Sequence, residues 1–134
     1  MGGTLFKNIL VVDDDDLYAE SVSHLLTDTN TVVKRASSIS DAKLLCQSFG
    51  FEVVLLDQHL DDGRGLDLLP HILSVNNRAK VIFATAYPDI GNAVSALKQG
   101  AYDYISKPVN PDELGAIVSR AFEASRLEGG EEVS

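Results

Sequence analysis

The stretch ILVVDD, residues 9–14, decides the fold class, because an unbroken apolar run ends there in two acids. An apolar run without polar alternation is typical of a strand buried on both faces of a parallel sheet. A second strongly apolar segment, FEVVLL at residues 51–56, is also followed by an acid, Asp57. Segments with the apolar spacing of amphipathic helices follow both runs. The chain therefore starts as an alternation of strands and helices.

This alternation continues through most of the chain. Strands are predicted at residues 8–12, 31–36, 51–56, 80–84 and 102–106. Helices are predicted at residues 16–26, 40–49, 66–73 and 90–99 and after Pro111, with Asp15 or Asp16 capping the first and Ser40 capping the second. The apolar face of the first helix is expected to carry Tyr18, Val22, Leu25 and Leu26.

Alternating strands and helices predict one α/β domain of flavodoxin-like type, in which a five-stranded parallel sheet has helices on both faces. Right-handed crossovers bring the carboxyl ends of all strands to one edge. Ligands bind where the winding direction reverses, which for strand order 2-1-3-4-5 lies between the first and third strands. The domain is expected to span residues 8–124, with an N-terminal tail at residues 1–7 and a polar tail or linker start at residues 125–134.

Composition excludes several classes of protein. Hydrophobic residues make up 45% of the 134 residues, which is enough for a packed core, and the net charge is −9. An acidic chain repels phosphate backbones, so we expect no direct binding of nucleic acid. No apolar run reaches the roughly 20 residues of a membrane helix, so no membrane association is expected. The single cysteine, Cys46, fits a reducing cytoplasm.

Acidic side chains follow two strands that the predicted topology makes neighbours. Asp13 and Asp14 follow the first strand, and Asp57 follows the third. Two unit charges about 4 Å apart repel by about 4 kcal/mol at an effective dielectric near 20. Such a cluster requires a cation, and a few oxygen ligands with room for water suit Mg²⁺. The sequence therefore predicts a magnesium site at this edge.

The ends of the other two strands add complementary groups. Thr85, at the end of the fourth strand, supplies a hydroxyl, and Lys107, after the fifth, supplies a compact positive charge that suits phosphate. A carboxylate nucleophile, a metal, a lysine and a hydroxyl around one crevice are the groups that phosphoryl transfer needs. We therefore predict phosphoryl chemistry at this crevice.

Four ordered motifs resemble the receiver domain of two-component response regulators. They are ILVVDDD at residues 9–15, VLLD at 54–57, FATA at 83–86 and GAYDYISKP at 100–108. The resemblance covers roughly residues 8–122, nearly the whole chain. It implies a phosphorelay switch that is not an enzyme in the ordinary sense, although it promotes its own phosphorylation and dephosphorylation.

The resemblance implies a role for each site residue. Asp57 would accept a phosphoryl group from a sensor histidine kinase or a phosphotransfer protein. Asp14 would bind Mg²⁺ directly, Asp13 largely through water, and the backbone carbonyl of His59 would supply a further oxygen. Lys107 would pair with the phosphoryl oxygens.

The resemblance also implies how the signal leaves the site. Thr85 would bond to the phosphoryl group, Tyr104 would be the aromatic switch that follows Thr85 inward, and the Lys107–Pro108 peptide would be cis. The changed surface would be helix four, strand five and helix five. It would control an output domain or a downstream protein, or support a homodimer on phosphorylation.

One departure and three alternatives accompany this interpretation. Leu60 and Asp61 stand where the family usually has Met-Pro, and Asp61 adds negative charge near the site. The main alternative is a small Mg²⁺-dependent phosphatase similar to the haloacid dehalogenases, with Asp13 as nucleophile; it leaves Asp57 without a role. A flavodoxin-type cofactor module would have Ser, Thr or Gly after strand one. A degenerate receiver that only binds a partner would lack some of the key residues, all of which are present.

Overall fold

The computed structural model describes residues 6–133, and the side chains of residues 6–128. The strands are β1 (Lys7–Val12), β2 (Thr31–Ala36), β3 (Val53–Leu56), β4 (His59–Leu60), β5 (Gly63–Arg64), β6 (Lys80–Thr85) and β7 (Asp103–Ser106). The helices are α1 (Asp16–Leu26), α2 (Ile39–Ser48), α3 (Gly65–Val75), α4 (Ile90–Lys98) and α5 (Pro111–Val133).

Five parallel strands form the main sheet in the order β2-β1-β3-β6-β7. The predicted order 2-1-3-4-5 is confirmed, since β4 and β5 form a separate antiparallel hairpin and β6 and β7 are the fourth and fifth strands of the sheet. Val12 pairs with Leu56 in the register of β1 and β3. The next residue of each strand, Asp13 and Asp57, therefore leaves the sheet beside the other.

Each face of the sheet has its own core, because strand side chains alternate between faces. Leu10 and Val12 of β1 face the core that includes residues of α2, α3 and α4. Ile9 and Val11 face the core that includes residues of α1 and α5. Five apolar side chains of α5, at helical spacing, are buried or half-buried in this core: Leu114, Ile117, Val118, Ala121 and Phe122.

Details at the ends of elements differ from the prediction. Asp15 caps α1, but Ser38 rather than Ser40 caps α2, because the extended backbone at Ser38 lets its hydroxyl accept from the Asp41 amide. Strand β3 begins at Val53, two residues later than predicted. Leu25 is 47% exposed, since the inward stripe of α1 runs through Ala19 and Val22 and leaves Leu25 at its margin.

The two ends of the chain also refine the prediction. The N-terminal tail predicted at residues 1–7 lies outside the described residues up to residue 5, and Lys7 already belongs to β1. Helix α5 continues to Val133, so the polar segment after residue 124 is helical there. Within residues 6–133, no helix is long and apolar enough to cross a membrane.

Candidate functional site

Three carboxylates converge at the carboxyl ends of β1 and β3. One carboxylate oxygen from each of Asp13, Asp14 and Asp57 lies within 4.8 Å of the other two. Asp13 is only 3% exposed, whereas Asp14 lies nearer the solvent. The Asp57 amide donates to the carbonyl of Val12 at 2.9 Å, which extends the ladder of β1 and β3 to the acid itself. The structure thus brings together the acids that the sequence places at adjacent strand ends.

Lys107 reaches across this cluster from the end of β7. Its Nζ lies 2.5 Å from Oδ2 of Asp13 and 3.4 Å from Oδ2 of Asp57. The same ammonium lies 4.1 Å from the centre of the Tyr18 ring, which is a cation–π distance. One cation therefore contacts two acids and an aromatic face, and its side chain is only 13% exposed.

The cluster holds more negative than positive charge, since three carboxylates lie around the ammonium of Lys107. Burial raises the pKa of Asp13 above its usual value and outweighs the hydrogen bond from Lys107. Burial and the charges of Asp61 and Asp57 raise the pKa of Asp14. Burial alone would lower the pKa of Lys107, but the hydrogen bond and charge of Asp13 and the charge of Asp57 raise it. The lysine is therefore held charged beside acids whose ionisation is unfavourable.

Close packing fixes the backbone at Asp57. Gly65, the first residue of α3, lies so near that a Cβ there would be 2.3 Å from the carbonyl oxygen of Asp57 and 3.0 Å from the Phe83 ring. The Gly65 amide donates to the carbonyl of Gln58 at 2.9 Å. A side chain at this position would push the loop that carries Asp57 away from α3.

The loop between β3 and α3 carries the departure from the family pattern. Its hairpin is joined to the start of α2 by Asp62, whose carboxylate accepts from the amides of Ile39 at 2.9 Å and Ser40 at 3.2 Å. Asp61 adds a negative charge beside Asp14. The loop is therefore anchored by one acid, while the other makes the site more acidic.

The remaining predicted residues also lie around this edge. Thr85 is fully buried at the end of β6, and its Oγ1 accepts from the Tyr87 amide at 3.1 Å. His59 is exposed, and its amide donates to Oδ1 of Asp57 at 3.4 Å. The Tyr104 ring lies 6.2 Å from the Phe83 ring, between centroids. The Lys107–Pro108 peptide bond is cis.

Two residues at this edge were not predicted to belong to it. Tyr18 packs against the core on the face of α1 to which it was assigned, and its ring also lies under Lys107. Its place in the first turn of α1, four residues after Asp14, was the available signal. Gln58 had no assigned role, yet it is 2% exposed and accepts a hydrogen bond from the Tyr104 hydroxyl. A buried amide next to Asp57 gives no sequence signal, because only the fold shows its burial.

The donor set fits a hard divalent cation. Three carboxylate oxygens within reach of one another, with no sulfur ligand in the group and one acid near solvent, match the preference of Mg²⁺ for oxygen ligands with several waters retained. The acidic pocket can therefore hold a metal ion.

Comparison with known proteins identifies the family. The model of the response regulator receiver domain matches residues 9–119, most of the chain. The chain belongs to this family, and it is a phosphorelay switch of two-component signalling rather than a classical enzyme. Members of the family work with histidine kinases and output domains. The match gives no support to the alternative of a haloacid-dehalogenase-like phosphatase.

Individual relatives agree with this assignment. The chain is 33% identical over 119 residues to the alginate biosynthesis transcriptional regulatory protein AlgB of Pseudomonas aeruginosa, covering 89% of this chain and 26% of AlgB. A CheY-like receiver domain from Methanospirillum hungatei superposes with a TM-score of 0.87 at 30% identity, covering 92% of this chain and 98% of that one. A Burkholderia pseudomallei response regulator solved with a phosphorylated aspartic acid, a calcium ion and citrate gives 0.80 at 30% identity, covering 95% and 74%.

The curated relatives are longer than this chain. The chain covers between 26% of AlgB and 61% of the acid tolerance regulatory protein ActR of Rhizobium meliloti. The resemblance therefore concerns their receiver portion.

Proposed function

We propose that Asp57 is the phosphoacceptor of this receiver domain and that it works with Mg²⁺ held by Asp13, Asp14, Asp57 and the backbone carbonyl of His59. The observation that carries the proposal is the meeting of three carboxylates with the Lys107 ammonium at one strand edge. The Burkholderia pseudomallei relative, solved with a phosphorylated aspartic acid and a calcium ion, supports the pairing of an acyl phosphate with a divalent cation.

The chemistry is a displacement at phosphorus. A carboxylate oxygen of Asp57 bonds to the phosphorus of a phosphohistidine on a sensor kinase or phosphotransfer protein, and the phosphorus–nitrogen bond breaks with its electron pair going to the histidine. When bound, Mg²⁺ supplies positive charge that neutralises the phosphoryl oxygens. Lys107 lies 3.4 Å from Oδ2 of Asp57, so it is placed to pair with the same oxygens. Attack by water at the same site would return the free carboxylate.

The output of the switch is a change of shape. The phosphoryl group adds acceptor oxygens that draw the Thr85 hydroxyl from the Tyr87 amide, and Tyr104 responds to the vacated space. The surface of α4, β7 and α5 then changes for an output domain, a downstream protein or a second copy in a symmetric dimer. Exposed apolar side chains on α4 fit such a contact: Ile90, Val94 and Leu97. We place this signalling in the cytoplasm.

Labelling with a small phosphodonor tests the site. With acetyl phosphate and Mg²⁺, we expect the wild-type chain to carry one phosphoryl group on Asp57 and Asp57→Ala to carry none, as read by intact mass and peptide mapping. Asp67→Ala, which removes an exposed acid from α3, is the matched control and should be labelled like the wild type. Asp13→Ala should be labelled more slowly but still on Asp57. Undiminished labelling of Asp57→Ala would overturn the assignment.

A further inference from the structure

Gln58 is a buried amide between the phosphoacceptor and the aromatic switch. It follows Asp57 directly, is 2% exposed, and its backbone carbonyl accepts from the Gly65 amide at 2.9 Å. A buried amide is unfavourable unless its polar atoms are paired. Both are paired here, since Oε1 accepts from the hydroxyl of Tyr104 and Nε2 lies 3.2 Å from Nε2 of the His59 ring.

The Tyr104 hydroxyl extends this connection to α4. It accepts a hydrogen bond from the backbone amide of Asp89 at 3.3 Å. Asp89 caps α4, because its carboxylate accepts from the Asn92 amide at 2.9 Å. A chain of hydrogen bonds thus runs from the residue after Asp57, through the Tyr104 hydroxyl, to the cap of α4.

We propose that Gln58 is a positioning residue that holds the Tyr104 ring against Phe83 and joins the phosphoacceptor loop to the start of α4. The inference rests on the proposed function, in which Asp57 accepts the phosphoryl group and Tyr104 is the switch. It adds a second connection to the one through Thr85. A shift of the Asp57 loop moves Gln58 directly, because the two residues are consecutive, and Gln58 then moves or releases the hydroxyl that contacts the α4 cap.

The hydrogen bond between Gln58 and Tyr104 favours one position of the Tyr104 ring in the unphosphorylated state. A neutral buried hydrogen bond changes a two-state ratio by about fivefold, which corresponds to roughly 1 kcal/mol. The Gln58–Tyr104 bond therefore favours the observed ring position even without a phosphoryl group. A residue of similar length without the acceptor oxygen should leave the ring and the first turn of α4 freer to move.

A double-mutant cycle tests this link in the full chain. Amide hydrogen exchange of Asp89 and the first turn of α4 is measured by NMR in the wild type, Gln58→Met, Tyr104→Phe and the double variant, without any phosphoryl analogue. Each single variant should speed this exchange by about fivefold. The double variant should be no faster than Tyr104→Phe alone, because that variant already removes the hydroxyl through which Gln58 acts on α4. Gln47→Met, on the exposed side of α2, is the matched control and should leave α4 unchanged.

Several results would overturn the link. Unchanged exchange in Gln58→Met or in Tyr104→Phe, or effects that multiply in the double variant, would show that the pair does not act together on α4. Tyr104→Phe keeps the ring and tests the bond even where Gln58→Met folds poorly. A separate wild-type sample with beryllofluoride tests the proposed function. If beryllofluoride does not bind at Asp57, the assignment of Asp57 as the phosphoacceptor is wrong, while the result of the cycle still stands.

Discussion

The two edges of the sheet treat charge in opposite ways. At the carboxyl edge, Asp13, Asp14 and Asp57 form one cluster, and the ammonium of Lys107 contacts two of them, Asp13 and Asp57. At the opposite edge, two acids, Glu52 and Glu128, each pair with a base of their own. Glu52, just before β3, accepts two bonds from Arg126 of α5 at 2.9 and 3.3 Å, and Lys80, at the start of β6, lies 2.7 Å from Glu128.

The two edges therefore have different roles: the amino edge anchors α5, and the carboxyl edge carries the candidate site. Paired charges at the amino edge hold the C-terminal half of α5 to the sheet. The carboxyl edge keeps an excess of negative charge in a partly buried place, which is unfavourable for the fold but suits the cation and the phosphoryl group that we propose to bind there. Variants at the two edges should therefore behave differently.

The largest expected effect lies in the backbone of the carboxyl edge. In Gly65→Ala, the new Cβ would meet the Asp57 carbonyl oxygen at 2.3 Å, and a backbone contact of this kind cannot be relieved by a rotamer change. We expect a loss of about 1–3 kcal/mol in the free energy of unfolding, measured in urea, together with slower labelling of Asp57.

Gly115→Ala is the matched control for this substitution. Gly115 lies inside α5, and a Cβ there meets nothing within 4 Å. Removal of a helical glycine should raise stability by about 0.5–1 kcal/mol. Equal stability of Gly65→Ala and the wild type would show that the loop at Asp57 is not held as tightly as the structure indicates.

The next effect concerns the aromatic face beneath Lys107. Tyr18→Leu removes a cation–π contact worth about 0.5–1 kcal/mol, so phosphorylation by acetyl phosphate should slow by about two- to fivefold. Tyr18→Phe keeps the ring and should react at the wild-type rate. At the opposite edge, Phe122→Leu removes a ring 6.0 Å from Arg126 and should lower stability without changing the labelling rate. A wild-type labelling rate in Tyr18→Leu would show that the ring does not contribute to the site.

The smallest effect is expected at the paired edge. Glu52→Gln weakens the bond to Arg126, whose side chain is 37% exposed, so the loss of stability should be about 0.2–1 kcal/mol and should shrink in high salt. Labelling of Asp57 and the stabilisation by Mg²⁺ should match the wild type. Impaired labelling would mean that the two edges are coupled, contrary to their separation in the structure.

The fold and the acidic cluster could be predicted because both depend on short-range patterns. Apolar runs that end in acids identify β1 and β3, and the rules of parallel sheets then bring Asp13 and Asp57 together. Buried positions on α5 followed from helical spacing. The cap of α2 did not, because Ser38 and Ser40 are both suitable cap residues and only the backbone conformation distinguishes them.

The remaining features depend on contacts between distant segments. Gln58 and Tyr104 are 46 residues apart, and Lys107 and Asp13 are 94 apart. Their side chains meet through the register of the whole sheet and the direction of each rotamer, which local patterns do not specify. Tyr18 satisfied the helical spacing of a core residue, so its second contact with Lys107 could not be distinguished from simple packing.

Removal of one acid from the cluster should change stability with a sign that depends on pH. Burial and the charges of Asp61 and Asp57 raise the pKa of Asp14, so its proton binds more tightly in the folded chain than in the unfolded one. The resulting penalty is absent below the ordinary carboxyl value of 3.8 and grows as pH rises through the raised pKa of the folded state. At neutral pH, the free energy of unfolding of Asp14→Asn should therefore exceed that of the wild type by about 0.5–1 kcal/mol, a small amount because solvent screens the site. In acid this difference should disappear.

The most direct measurement is the unfolding free energy of the wild type and Asp14→Asn at neutral pH, in chelator and in saturating Mg²⁺. In chelator the variant should be the more stable chain. In Mg²⁺ at about 100 times the dissociation constant, the wild type should gain about 2.7 kcal/mol and the variant much less, so that the order reverses. Glu52→Gln, measured in the same two conditions, should be slightly less stable than the wild type by the same amount in each. An Asp14→Asn effect of the same sign and size with and without Mg²⁺ would contradict a cation site built from the clustered acids of the carboxyl edge.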